Sequence, residues 1–332
     1  MSAASLPPQG ADGARPELTV VVPVYNEEAV LPEFHARLTC VLDATVASYE
    51  VLYVNDGSRD GSLELMRDLH RRDPRVALVD LSRNFGKEIA MTAGLDRARG
   101  DAVVVIDADL QDPPELIPAL VERWRAGFDN VYASRRNRSG ESWLKKTTAS
   151  WFYRLMGSVS RFDIPRNTGD FRLLSRRAVD ALGTLREQHR FMKGLFAWIG
   201  FPSVAVEYDR DPRHAGVSKF NYWKLWNFAL EGITSFTIAP LRLATYFGGL
   251  VALGALVAIL VIVAKTLLVG DPVRGYPSLM CAILFLGGVQ LVAVGTLGEY
   301  IGRMFNETKQ RPLYLVNHYL ASGGAAPRHV GD

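Results

Sequence analysis

Two long apolar stretches near the C-terminal end constrain this chain more than any other feature. From Leu243 to Val269 the only charged residue is Lys265, and from Pro277 none appears until Glu299. A helix rises about 1.5 Å per residue and needs roughly 20 apolar residues to cross a bilayer, so each stretch is long enough to do so. The GDPVRGYP segment at 270–277 that joins them is short and turn-rich. The expectation is therefore two transmembrane helices, about 243–269 and 277–299, within a membrane region 241–301; a buried helical hairpin of a soluble protein is the alternative. Lys219, Lys224 and Arg242 precede the pair and Arg303, Lys309 and Arg311 follow it. Positive charge accumulates on the cytoplasmic side, so both ends are expected in the cytosol, with the 302–332 tail there too. Gly287, Gly288, Gly295 and Gly298 permit close helix contacts and point to a homo-oligomer.

The remainder reads as a cytosolic α/β domain, placed at 17–218. Short β-branched runs at 19–25, 49–56, 75–81, 101–109 and 129–135 alternate with segments of helical periodicity. Runs such as VVVPV and AVVVI hardly alternate between apolar and polar, which is the pattern of parallel strands covered by helices on both faces. A strand around Asp170–Leu174, helices around 176–187 and 190–199, and a strand at 202–209 follow. Residues 1–16 carry no apolar core behind a positive region and read as a disordered leader, not a signal peptide. Residues 219–240, with Tyr222, Trp223, Trp226, Leu230 and Ile233 at helical spacing, read as an amphipathic helix lying on the membrane surface. The chain has two cysteines, which excludes a disulfide framework, and a formal net charge of +3, which gives no field for nucleic acid.

Ligands of open α/β sheets bind beyond the carboxyl ends of the strands. Here those ends present acids: Asn26, Glu27 and Glu28 after the first, Asp56 after the second, Asp107 and Asp109 after the fourth, with Asp170 opening a later strand. Asp60, just before a helical run, reads as a helix cap. If Asp107-Ala108-Asp109 leaves the strand extended, its two carboxylates point the same way, which is costly unless a cation sits between them. Hard oxygen ligands of this kind suit Mg²⁺ or Mn²⁺ shared with substrate phosphates. No GxxxxGK[ST] loop exists, because Leu81 stands where its first glycine belongs, and no GxGxxG follows the first strand.

VVVPVYNEE (20–28), VNDGSRDGS (54–62), LSRNFGKEIAMTAGLDRARGD (81–101), VIDADLQDPPE (105–115), NTGDFRLLSRRAV (167–179), RFMKG (190–194) and RHAGVSKF (213–220) occur in this order, followed by GEYIGRMFNETKQRPLYLV (298–316). Over about residues 17–316 the chain resembles family 2 glycosyltransferases of the polyprenyl-phosphate type, including dolichyl-phosphate mannose synthases and especially bacterial undecaprenyl-phosphate glycosyltransferases. The resemblance implies a GT-A fold, Rossmann-like with a mainly parallel sheet. It also implies inverting transfer of one sugar, from UDP-glucose or another UDP-sugar, to a polyprenyl phosphate at the cytosolic face of the cytoplasmic membrane, with Mg²⁺ or Mn²⁺. Carried over by motif, Pro23, Tyr25, Glu27, Asp56, Ala108, Arg135 and Lys219 would bind the nucleotide sugar, and Asp107, Asp109 and Gln111 the metal. Asp109, Asp170 and Arg213 would serve catalysis, and Lys146, Ser150, Arg213 and Ser218 the lipid phosphate. Mannose-synthase relatives tend to lack the acid of NTGDF, so Asp170 favours the bacterial subgroup. Basic residues interleaved with Trp143, Trp151, Phe152 and Tyr153 suit a surface that meets anionic headgroups. His189 and His214 read as polar loop contacts. A processive polysaccharide synthase of the same fold is the runner-up, although RFMKG stands where its QxxRW motif belongs, and a non-catalytic membrane scaffold comes third.

Overall fold

The computed structural model describes residues 15–135, 168–188, 190–208 and 275–323, with isolated helical positions between 250 and 268. The expected leader, the basic aromatic segment around 142–160, the interfacial helix and most of the first apolar stretch lie outside these residues.

Four strands form the parallel heart of the sheet: β1 (Leu18–Val24), β2 (Tyr49–Asn55), β3 (Val76–Leu81) and β4 (Ala102–Val105). All four are buried throughout, as runs covered on both faces must be. Their side chains alternate between two cores. Val20, Val22, Val51 and Tyr53 pack under α1 (Leu31–Thr45), α2 (Ser62–Arg72) and α4 (Ile117–Arg125). Val21, Leu52, Val54, Val103 and Val105 pack under α3 (Lys87–Leu95), α5 (Arg176–Thr184) and α6 (Met192–Trp198). This is the two-residue period of a strand expressed as two layers of helix. Helix α3 lies so close to the sheet that a Cβ on Gly94 would stand 2.2 Å from Val21 Cγ1.

Completing the sheet are β5 (Asn130–Arg135), β6 (Thr168–Ser175), β7 (Ser203–Tyr208) and β8 (Val316–Leu320), in the order β7-β5-β6-β4-β1-β2-β3-β8. The β1–β2, β1–β4, β2–β3 and β5–β7 pairs are parallel, while β6 runs antiparallel to both neighbours and β8 antiparallel to β3. Because β6 opposes β4, with Val105 facing Arg172, the start of β6 lies at the carboxyl end of β4.

Helix α7 spans Tyr276–Thr308, 33 residues or about 50 Å. Its Phe285–Thr308 portion is long and apolar enough to cross a membrane, and none of that window is buried against protein. Leu291, Val294, Ile301 and Met304 are all exposed. The helix runs nine residues beyond the expected end at 299, and the chain then returns to the main sheet as β8, which the sequence reading missed. Several bonds hold this return. Ser82 N–H donates to Leu315 O at 2.9 Å, Arg97 Nη1 to Tyr314 Oη at 2.7 Å, and Gln188 Nε2 to Arg311 O at 2.6 Å. Gln188 N–H also donates to Glu307 Oε1 at 2.8 Å, tying the last turn of α7 to the loop before α6.

Candidate active site

The carboxyl ends of β1, β2 and β4 lie side by side, and the start of β6 joins them, so the four acid-bearing segments picked out in the sequence meet at one edge of the sheet. At the centre of this edge stands a residue that the sequence reading did not single out. Lys87, the first residue of α3, places its Nζ 2.6 Å from Asp107 Oδ2 and 2.5 Å from Asp170 Oδ2. One ammonium thus joins the end of β4 to the beginning of β6.

What holds Lys87 there is the second acid. Asp56, 3% exposed, accepts the Phe85 amide on Oδ1 at 2.7 Å and the Gly86 amide on Oδ2 at 3.0 Å. Gly86 has φ +96°, a left-handed conformation that turns the chain into the helix. Gly57, with φ +66°, allows the loop after β2 to touch this one, since a Cβ there would lie 2.5 Å from Asn84 N. Burial pushes the Asp56 carboxyl upward against the opposing effect of the two amides. Both of its oxygens are engaged by the 85–86 loop, so any nucleotide contact must use the remaining lone pairs.

Burial raises the Asp107 carboxyl to about 6, with Lys87 opposing and Asp170 and then Asp109 adding to the push. Burial would also raise Asp170, but Lys87 and then Lys193 outweigh it and hold that carboxyl down at about 2. Asp170 is therefore an ionised group and a weak base, and its Oδ1 is buried without a hydrogen-bond partner among the described residues. Behind it, Arg172 is buried, 3.7 Å above the Phe196 ring, and donates to Gly169 O at 3.2 Å. Glu88 accepts the Met192 amide at 3.0 Å, and burial followed by repulsion from Asp170 lifts it to about 7.

The Asp-x-Asp segment differs from the expectation. Strand β4 ends at Val105, and Asp107 to Asp109 lie in the turn that follows, where Leu110 takes φ +58°. Asp109 Oδ1 accepts the Gln111 amide at 3.1 Å, a local turn bond that competes with continuing the strand. Across this turn Asp109 still acts electrostatically on Asp107, and the cation bonded to Asp107 is Lys87. Hard carboxylate oxygens at this turn fit a divalent ion, and the unpartnered Asp170 Oδ1 marks unmet polar demand beside it. Among the described residues no three His, Cys, Asp or Glu side chains gather to hold a metal unaided, so a ligand would have to supply further oxygens.

Of the expected nucleotide residues, Pro23 is buried in β1 opposite Val54, Tyr25 is 44% exposed just beyond it, Glu27 borders a recess with Asn26, Glu28 and Asp60, and Ala108 is buried in the turn. The helix cap expected at Asp60 falls on Gly61 instead; Asp60, one residue earlier, accepts the Ser62 amide at 3.1 Å and the Glu28 amide at 3.2 Å, which ties the loop after β2 to the loop after β1. Gln111 is buried next to the metal candidates. Arg135 is the last residue of β5, paired with Tyr208 of β7. Lys146, Ser150, Arg213, Ser218 and Lys219, with His189 and His214, lie outside the described residues.

Comparison with known proteins places these features in context. The profile of the family described as Glycosyl transferase family 2 matches residues 19–183, and that described as GtrB C-terminal hairpin matches residues 239–304. The chain is 53% identical over 301 residues to an uncharacterised glycosyltransferase of Synechocystis, covering 91% of this chain and 95% of that one. It is 49% identical over 302 residues to the bactoprenol glucosyl transferase of Shigella phage SfV, covering 91% and 98%. With the prophage bactoprenol glucosyl transferase homolog of Escherichia coli it shares 48% identity over 300 residues, covering 90% and 98%.

Proposed function

Since the chain belongs to glycosyl transferase family 2 and has its GT-A fold, we propose that it transfers a single glucose from a UDP-sugar to a polyprenyl phosphate, with inversion, at the cytosolic face of the cytoplasmic membrane. The observation that carries this reading is near-half identity to proteins named bactoprenol glucosyl transferases along almost the whole of both chains, the segment that matches the GtrB C-terminal hairpin included. The site supports it with a row of carboxylates and a lysine at the carboxyl ends of parallel strands, where nucleotide ligands bind.

In this reading Tyr25, Glu27 and Asp56 line the side of the site that takes the base and ribose, and Ala108, Arg135 and Lys219 also contact the nucleotide sugar. Asp107 and Asp109, with Gln111 beside them, would hold Mg²⁺ or Mn²⁺, which when bound supplies positive charge for the departing diphosphate. Asp170 offers its unpartnered Oδ1 to a sugar hydroxyl and so orients the anomeric carbon. A phosphate monoester has a second pKa near ~6 and is largely ionised at neutral pH, so the acceptor oxygen needs no strong base. That fits an Asp170 held ionised by Lys87. The acceptor oxygen forms the new bond to the anomeric carbon as the bond to the nucleoside diphosphate breaks, and the electron pair leaves with the diphosphate. Lys146, Ser150, Arg213 and Ser218 would surround the lipid phosphate at membrane level.

The C-terminal strand supports the topology. Strand β8 is part of the catalytic sheet, so the C-terminal end of α7 emerges on the side where that domain lies. With two crossings, both chain ends are then cytosolic, and the glycines of the second helix provide for a homo-oligomer.

Membranes carrying the chain, incubated with a panel of radiolabelled nucleotide sugars and then extracted for lipid, test the reading. A labelled polyprenyl-linked product from UDP-glucose is expected. Labelled polymer, or no lipid product from any donor, would overturn it.

A further inference from the structure

Lys87 is the cation that bonds to two acids of this site. Its ammonium lies within 2.6 Å of Asp107 Oδ2 and 2.5 Å of Asp170 Oδ2, joining two acids that belong to different strands. The loop before it is fastened from both sides, by the two Asp56 oxygens on the Phe85 and Gly86 amides and by the close approach of Gly57 to Asn84. Beyond that anchored backbone the lysine is a flexible four-carbon stem with three rotatable donors, and its side chain is 41% exposed. A divalent ion approaching Asp107 by itself therefore meets a resident positive charge. Asp109 and Glu88 add negative charge nearby, but among the described residues no three acids converge closely enough to hold the ion themselves. Like charges a few ångströms apart in a partly buried cleft repel strongly. A nucleotide diphosphate would change the balance, because its oxygens could accept from the ammonium and also supply ligands to the ion.

We propose that Lys87 is a positioning residue that holds Asp107 and Asp170 together before the donor arrives and makes divalent-metal binding conditional on the nucleotide diphosphate. When donor and metal enter together, Lys87 moves from Asp107 to the phosphate oxygens while still neutralising Asp170. Metal and nucleotide then bind with positive coupling, and the coupling is reciprocal. The inference rests on the reading of Asp107 and Asp109 as metal ligands.

The test titrates Mn²⁺ into the full chain in mild detergent and follows the free-ion signal by electron paramagnetic resonance, with and without UDP. For the wild type, UDP is expected to tighten Mn²⁺ binding by about tenfold or more. In Lys87→Met the nucleotide-free affinity for Mn²⁺ should rise by about tenfold and the UDP effect should shrink. Lys87→Arg, which keeps the charge, should behave as wild type. If Lys87→Met melts out of the folded state, Lys87→Gln is read in its place. A neutral variant that binds Mn²⁺ without nucleotide no better than wild type, while UDP still tightens Mn²⁺ in both, overturns the role of Lys87 alone. Failure of every form to retain Mn²⁺ with UDP overturns the metal reading and this inference with it.

Discussion

Asp56→Asn separates a loop-holding role from a ligand-binding one. The carboxylate is 3% exposed and receives the Phe85 amide at 2.7 Å and the Gly86 amide at 3.0 Å, one on each oxygen. Asparagine keeps the shape but turns one acceptor into an NH₂ donor that faces an N–H. One hydrogen bond to a charged group is lost, worth about 1.5–3 kcal/mol, and a buried amide is left unmatched. Relief of the buried charge returns part of this, because burial already pushes the Asp56 carboxyl upward. The net expected loss is about 1–3 kcal/mol, or a fall of about 2–12 °C in the unfolding midpoint for a domain of this size. Tryptophan fluorescence during heating of the detergent-solubilised chain reads the midpoint, and UDP titration reads the site. Both should fall, the second because Lys87 follows directly on the released loop. An unchanged midpoint with lost UDP binding would refute the loop-holding argument and leave Asp56 as a ligand contact only.

Gly57→Ala should cost about 2 kcal/mol or more, since it combines a left-handed backbone with a Cβ 2.5 Å from Asn84 N; a midpoint equal to wild type would show that the two loops do not press on each other. Glu88, raised to about 7 by burial and then by Asp170, keeps its proton in the folded state between pH about 4.5 and about 7 after the unfolded chain has released it. Its contribution to stability is full below that window and is lost as pH rises through it, so Glu88→Gln should remove a downward slope from the stability profile. Identical profiles for the two proteins would contradict the assignment. A reporter fused after Asp332 should behave as cytosolic and one inserted near Arg274 should not; agreement between the two would rule out the two-crossing topology.

Strands β1 to β3 could be read from the sequence because burial on both faces leaves uninterrupted β-branched runs, and their ends differ from the reading by a residue at most. The end of β4 could not. Ile106 to Asp109 alternates apolar and acidic like a strand, but Leu110 at φ +58° and the Asp109–Gln111 turn bond depend on local backbone geometry that alternation does not encode. Lys87 escaped notice for a different reason. A lysine after a glycine at a helix start reads as solvated, and only the distant pairing of β4 with β6 shows that two acids await it. The one signal available was Gly86 itself, placed where a chain must turn sharply out of β3. Strand β8 is five residues long and partners a segment more than 200 positions earlier, so neither its length nor its local pattern marks it off from a tail. The acids at the strand ends were legible because position along a parallel strand fixes which edge of the sheet a residue reaches.

Purified full-length chain, supplied with UDP-glucose, Mg²⁺ and either undecaprenyl phosphate or a short water-soluble alkyl phosphate, tests the central claim most directly when the products are resolved by mass spectrometry. The account predicts a glucosyl phosphate lipid from the long acceptor, far less product from the short one, and neither product from Asp109→Asn, while that variant unfolds at the wild-type temperature. Equal transfer to both acceptors would contradict the lipid acceptor, and full transfer by Asp109→Asn would contradict the site.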